Sequence, residues 1–454
     1  MMLSGAPRHS PAHRRSNFPC LRSGNRMALR EEPMQLLDQS TFDQLAATAP
    51  AWTQPLRSSG FERFLVSDMP SPKEESWKYV DLDFSLGDFS LAEPGTPIVE
   101  PDEVAAALGE LAGQAVIVNG FAETDGSASA TLVTAATSDG DTVSLLGTAV
   151  DPTVDLFAAA HHAFFRDGVF LHIPAGQTVD RPFYVDVQAT GEGTVSFPHV
   201  TIVVDRDAQA SVVVGFRSPE GERLVVNPHV EAFVRDAGRL NLTTYQRFGS
   251  DTRAIIHERV VIDRDATVHL GEVGVGGTLA RVDLNMDLRG NGGHADLVGA
   301  FYGEHDQTLD YRLVMHHVGV STSSDVFLKG AVQDRAESVF TGLVRIENDA
   351  SKTSAFETNR NLVLSDGARA NSVPNLEILC DDVICGHGST VGPLDEEPLY
   401  YLMSRGLGRP RAARLLVHGF FEEALQRLPQ PELAAPARVA MNRRFVTAQQ
   451  EGRV

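Results

Sequence analysis

Cys385 and His387 are the residues of this chain whose types and spacing best suit metal or thiol chemistry. A thiolate and an imidazole are ligands for iron or zinc. Residues two apart on a strand point to one face, so the pair makes a two-ligand fragment. A closed structural site needs four donors, and the same pattern also fits a hydrogen-bonded histidine in a strand turn beside a buried thiol. Cys380 stands five residues before Cys385, on the opposite face of any unbroken strand, unless Asp381 and Asp382 turn the chain between them. The third cysteine, Cys20, sits among arginines near the N-terminus and is not counted with the site. Three cysteines in 454 residues give no disulfide framework and suit a reducing cytoplasm.

Other chemistries find little support. There is no G-x4-G-K-S/T loop, so no ATP site is expected, and Gly274–Val275–Gly276–Gly277 lacks dinucleotide-binding spacing. His257–Glu258 has no second histidine four residues on, and no serine sits on a nucleophile elbow. His161–His162, on a stretch that reads as a helix, suits a surface or packing role better than ligation. The net charge of −21 argues against nucleic acid or an anionic membrane as the main partner. No run approaches the roughly 20 apolar residues that span a bilayer.

The elements that must position the cysteine–histidine pair read as follows. Residues 1–33 carry six arginines before the first acid, Glu31, and no apolar h-region; they read as a disordered extension or a start assigned upstream of the true one, with a transit peptide as a third option. Residues 34–180 read as mixed and largely helical. Within them, Glu74–Glu75–Ser76–Trp77–Lys78–Tyr79 reads as an aromatic anchor. Residues 181–393 change to short alternating strands broken by Asp, Gly and Asn turns. The Asp-Ala pair recurs at 207, 236 and 265, with weaker echoes at Gly293–His294, Asp349–Ala350 and Asp366–Gly367–Ala368. A repeated corner with a small residue favours a β-solenoid over a sandwich. Residues 394–454 return to helix: Asp395–Glu396–Glu397–Pro398 starts one, residues 410–428 form an amphipathic second, and residues 432–441 suit a short third.

Several longer strings resemble the SufB/SufD family, scaffold subunits of the Suf iron–sulfur cluster assembly machinery. They include Ser321–Thr322–Ser323–Ser324 with Phe327–Leu328–Lys329–Gly330, then Phe340–Thr341–Gly342, then Phe356–Glu357–Thr358–Asn359–Arg360–Asn361–Leu362, with Glu357 where the family usually has glutamine. The likeness runs on through Leu376–Glu377–Ile378, Asp381–Asp382–Val383, Cys385, His387–Gly388, Thr390–Val391–Gly392 and Tyr401 to Gly406. Glu75–Ser76–Trp77 is similar to the family's N-terminal signature, although Lys78 and Val80 depart from it. Thr358–Asn359–Arg360–Asn361 and His387–Gly388–Ser389–Thr390–Val391 stand where SufB-like chains carry a cysteine and a glutamate, which favours the SufD branch.

The resemblance implies a mainly β fold, a right-handed parallel β-helix flanked by N-terminal and C-terminal helical regions. It implies a non-enzymatic scaffold that joins a SufB homologue through the β-helix and docks the ATPase SufC on its C-terminal helices. Self-association of the isolated chain is a further option. His387, with Cys385 nearby, would hold iron or a transient Fe-S cluster at the interface shared with SufB, while Cys380 reads as a buried thiol. The alternative is a β-helix enzyme acting on polysaccharide or transferring acyl groups, for which no hexapeptide repeat is present.

Overall fold

Short strands with small residues at repeated corners can satisfy their backbone by stacking coil on coil. The computed structural model, which describes residues 36–140 and 143–453, does this. Among the described residues, successive strands alternate between two sheets of 12 and ten strands. Both sheets are parallel through about eight coils, so the core is a parallel β-helix. Each coil advances the chain by roughly 26–32 residues: His199 pairs with His229, His229 with His257, Leu279 with Thr308, and Glu337 with Arg369. Both sheets begin ahead of residue 181, with Gly113–Val118 and Gly168–Ile173 already in parallel register with later strands. The segment from 34 to 180 therefore supplies strands as well as helices.

The recurring Asp-Ala pair marks a stacked corner. Asp207, Ala237, Asp265, Ser321 and Lys352 all take left-handed φ of 55–61°, with Gly292 at 72°. Each donates its backbone N–H to the carbonyl one residue before the left-handed position of the next coil. Asp207 bonds Asp236, Ala237 bonds Arg264, Asp265 bonds Asn291, Gly292 bonds Val320 and Ser321 bonds Ser351. The small residue that follows Asp207 and Asp265 points inward, and Ala208 and Ala266 are buried in the central core, as is Ala350 two places before Lys352. In the middle copy the left-handed residue is Ala237, one place later, and Gly238 takes the inward position. A Cβ there would lie 2.8 Å from the Arg235 carbonyl oxygen, so only glycine fits.

Valine, leucine and isoleucine alternate inward to fill the lumen, as in Val200–Ile202–Val204 and Ala280–Val282–Leu284. The outer faces are covered by the two helical regions. The first sheet carries the N-terminal elements, with helices Gln54–Phe64 and Leu156–Phe164 among them; Phe157, Phe84 and Trp77 share an apolar layer with Phe233, Ile255 and Val261. Gly60 lets these two helices meet, because a Cβ there would lie 2.5 Å from the His162 Cβ. The second sheet carries the C-terminal helices Glu396–Ser404, Arg409–Leu425 and Ala434–Gln450, where Val417, Phe421 and Leu425 pack on Val273, Ala300 and Tyr302. The last helix runs 17 residues, well past the short segment expected. Lys329 ties this cap to the sheet, donating to the Phe420 carbonyl at 2.8 Å and pairing with Glu423 at 2.5 Å.

Trp77 is the anchor that the sequence suggested. It is 2% exposed, stacks near Phe157, and lies 3.9 Å under the Arg281 guanidinium of the first sheet. Arg281 in turn donates to the Ser76 carbonyl at 2.9 Å. Trp77→Ala should cost about 3–5 kcal/mol, as expected for truncating a fully buried aromatic. Urea denaturation checks this: a midpoint unchanged from the parent would show that the N-terminal cap does not depend on this contact.

Candidate functional site

The β-helix ends on strands Arg369–Ile378 and Val383–Gly392, the terminal members of the two sheets. Residues 379–382 turn the chain between them, with Asp381 and Asp382 at the bend and the Asp382 carbonyl accepting from Lys352 N–H at 2.6 Å. The strand is thus broken between the cysteines. As a result Cys380 and Cys385, both free thiols, each pack against the exposed end of the central core, and Cys380 is half-buried rather than the buried thiol expected.

Parallel register fixes where each site residue points. Cys385 lies opposite Ala355, His387 opposite Glu357, Ser389 opposite Asn359 and Val391 opposite Asn361. Ala355, Glu357, Asn359 and Asn361 are buried and face the lumen. Cys385 and His387 therefore share the lumen face, as their spacing predicted. With no further coil over them, His387 is exposed and Cys385 half-buried. Apolar side chains ring this end: Ile384 is 69% exposed, and Phe356, Ile378, Leu379 and Val391 are also well exposed.

The lumen turns polar at this mouth. The Ser389 hydroxyl donates to Ser372 Oγ at 2.7 Å, and Ser372 donates to Asn359 Oδ1 at 2.9 Å. Glu357, one rung beneath His387, reaches across to Gly342 of the other sheet, where any side chain would collide with its carboxylate. It is 2% exposed, its Oε1 has no hydrogen-bond partner, and burial pushes its carboxyl up to about 7. Sequence reading noted Glu357 only as a departure from glutamine. Its burial follows from lumen orientation, which strand alternation alone does not give. A thiol and an imidazole beside this buried carboxyl can offer two ligands to a metal, leaving further positions for donors from another chain.

The other histidines separate cleanly. His161 and His162 are buried at 1% and 3%, in a packing position rather than at the surface. His199, His229 and His257 form a ladder on the outer face of the first sheet beneath them. Their spacing of one coil was the signal that sequence reading passed over. Cys20 lies outside the described residues. Among the described residues no helix is long and apolar enough to cross a membrane.

A helix-capped parallel β-helix left open at its last coil, with a thiol and an imidazole on the open face, is the class of protein that fold and site define. Comparison with known proteins narrows it. Residues 187–420 match the family described as SUF system FeS cluster assembly, SufBD core domain. An iron-sulfur cluster assembly SufBD family protein of Mycobacterium tuberculosis is 35% identical over 296 residues, covering 63% of this chain and 73% of that protein. The iron-sulfur cluster assembly protein SufD of Bacillus subtilis is 28% identical over 412 residues, 84% of this chain and 91% of its own. SufB of the same organism is 26% identical over 281 residues, 62% of this chain and 60% of its own. The chain belongs to the SufBD family of iron–sulfur cluster assembly proteins.

The raised Glu357 carboxyl has a direct consequence for stability. A folded value above the unfolded one of 4.5 means that the folded state holds the proton more tightly. Relative stability is full below about 4.5 and is lost as pH rises to about 7. Glu357→Gln should therefore be neutral at pH 4 and raise stability at pH 8 by on the order of 3 kcal/mol. Urea midpoints at the two pH values test this; an equal effect at both would refute the buried, raised carboxyl.

Proposed function

We propose that this chain is a SufD-type scaffold subunit, without catalytic activity of its own, that joins a SufB homologue through the open end of its β-helix. The observation that carries the reading is the uncapped last coil, where two terminal strands offer unpaired edges ringed by Phe356, Ile378, Leu379, Ile384 and Val391. An exposed apolar sheet end invites pairing with another sheet, and a second β-helix is the partner of matching shape. The SufD branch is favoured because likeness to Bacillus subtilis SufD extends over 91% of that protein, against 60% for its SufB.

In this reading Cys385 and His387 hold iron or a transient Fe-S cluster as cargo at the shared interface, with SufB supplying the remaining donors. An imidazole nitrogen holds iron less firmly than a thiolate, which suits a site that must release what it builds. The C-terminal cap supplies a docking face for the ATPase SufC. Val417, Phe421 and Leu425 are spent on the sheet, whereas Tyr400, Tyr401, Met403 and Leu415 are exposed and available to that partner. Pairing of two copies of this chain through the same open end is the reading's corollary when SufB is absent.

Anaerobic co-expression with SufB and SufC, followed by mass determination, tests the assembly. One copy of this chain with one SufB and two SufC is the expected result; a chain that purifies alone would sink the reading. Ile384→Asp should weaken capture of SufB about tenfold or more, by placing a charge in the centre of the apolar ring. His387→Ala should leave the complex intact and lower its iron and sulfide content. Unchanged cluster content in that variant would remove His387 from the site.

A further inference from the structure

A second group of metal-competent side chains lies far along the β-helix, beneath the N-terminal cap. His161 comes from helix Leu156–Phe164, and His199 and His229 come from adjacent coils of the first sheet. One ring nitrogen of each lies within 4.8 Å of the other two, and all three residues are at most 1% exposed.

The hydrogen bonds of two of these rings leave their facing atoms in conflict. His161 Nδ1 is 2.8 Å from the Asn227 carbonyl oxygen, which can only accept, so Nδ1 carries the proton and Nε2 presents a lone pair. His199 Nε2 is 3.2 Å from the Glu231 carboxylate, which can only accept, so its proton belongs on Nε2 and Nδ1 presents a lone pair; Thr201 Oγ1, 3.1 Å away, donates its own hydroxyl to the same carboxylate. His161 Nε2 and His199 Nδ1 then face one another at 2.9 Å. Two lone pairs at that distance repel unless a cation lies between them. The outer partners, a backbone carbonyl and a carboxylate, are those that orient metal-bound histidines. Two nitrogens each about 2.1 Å from one ion stand about 3–3.4 Å apart, close to the spacing here.

His229 supplies the third donor. Its ring stacks on His161 at 3.4 Å, it is 0% exposed, and neither ring nitrogen has a hydrogen-bond partner. A buried imidazole with both nitrogens unused calls for an unseen water or ion. Coordination needs its ring to swing out of the stack, a rotation about its own side-chain bonds.

The surroundings also demand positive charge. Glu231 accepts from Gly147, Ala149 and Val150 N–H at 2.7–2.9 Å. Its side chain is fully buried against His199. The Asp155 side chain, 6% exposed, likewise faces a histidine, His257, at 3.2 Å.

We propose that His161, His199 and His229 bind one first-row divalent cation, of the zinc class, which staples the N-terminal cap to the β-helix. The site is separate from Cys385 and His387 and independent of any cluster they hold. Because it is buried, it loads as the chain folds. The competing arrangement is an imidazolium at His199 that donates to His161 and pairs with Glu231, with no metal.

The test uses the full chain, purified without a histidine tag and carrying Cys385→Ala and His387→Ala so that the other site contributes nothing. Protein from zinc-supplemented and zinc-depleted cultures is compared by elemental analysis and thermal melting. The expected result is about one zinc per chain and a higher melting temperature in the loaded protein. His229→Phe keeps the stacked ring and deletes both nitrogens. It should fold, melt no lower than zinc-free parent, and bind zinc about tenfold or more weakly. His161→Gln should lose zinc in the same way. Zinc-free parent from supplemented cultures, melting that is indifferent to zinc, or a His229→Phe variant that retains the metal would each overturn the site in favour of the imidazolium.

Discussion

A parallel β-helix satisfies its backbone by passing hydrogen bonds from each coil to the next, so its last coil always holds a surplus of donors and acceptors. In this protein that constraint decides both what is closed and what is open. The corner residues from Asp207 to Lys352 repeat the bond at every coil, donating to the coil that follows over 2.6–3.1 Å. Strands Arg369–Ile378 and Val383–Gly392 end the series with edges that no described element covers. The candidate ligands sit on that unfinished rung. A residue one coil earlier would be enclosed, as Glu357 and Asn359 are.

The two helical regions follow from the same geometry. A solenoid that fills its lumen with aliphatic side chains still has two broad outer faces, and here each is apolar enough to need cover. Aromatic residues from the N-terminal elements take one face and the amphipathic C-terminal helices take the other. What remains exposed is therefore informative. Tyr400, Tyr401, Met403 and Leu415 lie on the side of the cap turned away from the sheet, and Ile384 and Val391 lie on the open coil. Both patches sit where the fold has no further element of its own to place.

Much of this was legible in the residues, for physical reasons. The Asp-Ala corners betrayed the solenoid because a left-handed turn and a tight inward position tolerate few residue types. The shared face of Cys385 and His387 was legible because strand alternation carries their spacing to one side. Trp77 was legible as an anchor because so large an aromatic among charges needs a place to bury. The start of the β-helix was not, since Gly113–Val118 and Gly168–Ile173 are separated by two short antiparallel strands, loops and helix Leu156–Phe164 that interrupt the repeat. The histidine ladder was hidden by unequal coils, with 199, 229 and 257 spaced by 30 and then 28 residues. The burial of Glu357 was not legible, because lumen orientation depends on register with the opposite sheet. The Cys380–Cys385 relation was misjudged only if the strand is taken as continuous; the turn at Asp381–Asp382 brings both thiols to one end of the core.

The central claim is the proposal that a SufB homologue completes the open coil. Hydrogen exchange of the backbone amides, in the isolated chain and in the complex with SufB, reads that surface directly. The account predicts that strands Arg369–Ile378 and Val383–Gly392 exchange quickly alone and become strongly protected in the complex, with little change at the corners of the earlier coils. Protection confined to the helical caps, with the last coil exchanging as freely as before, would contradict it.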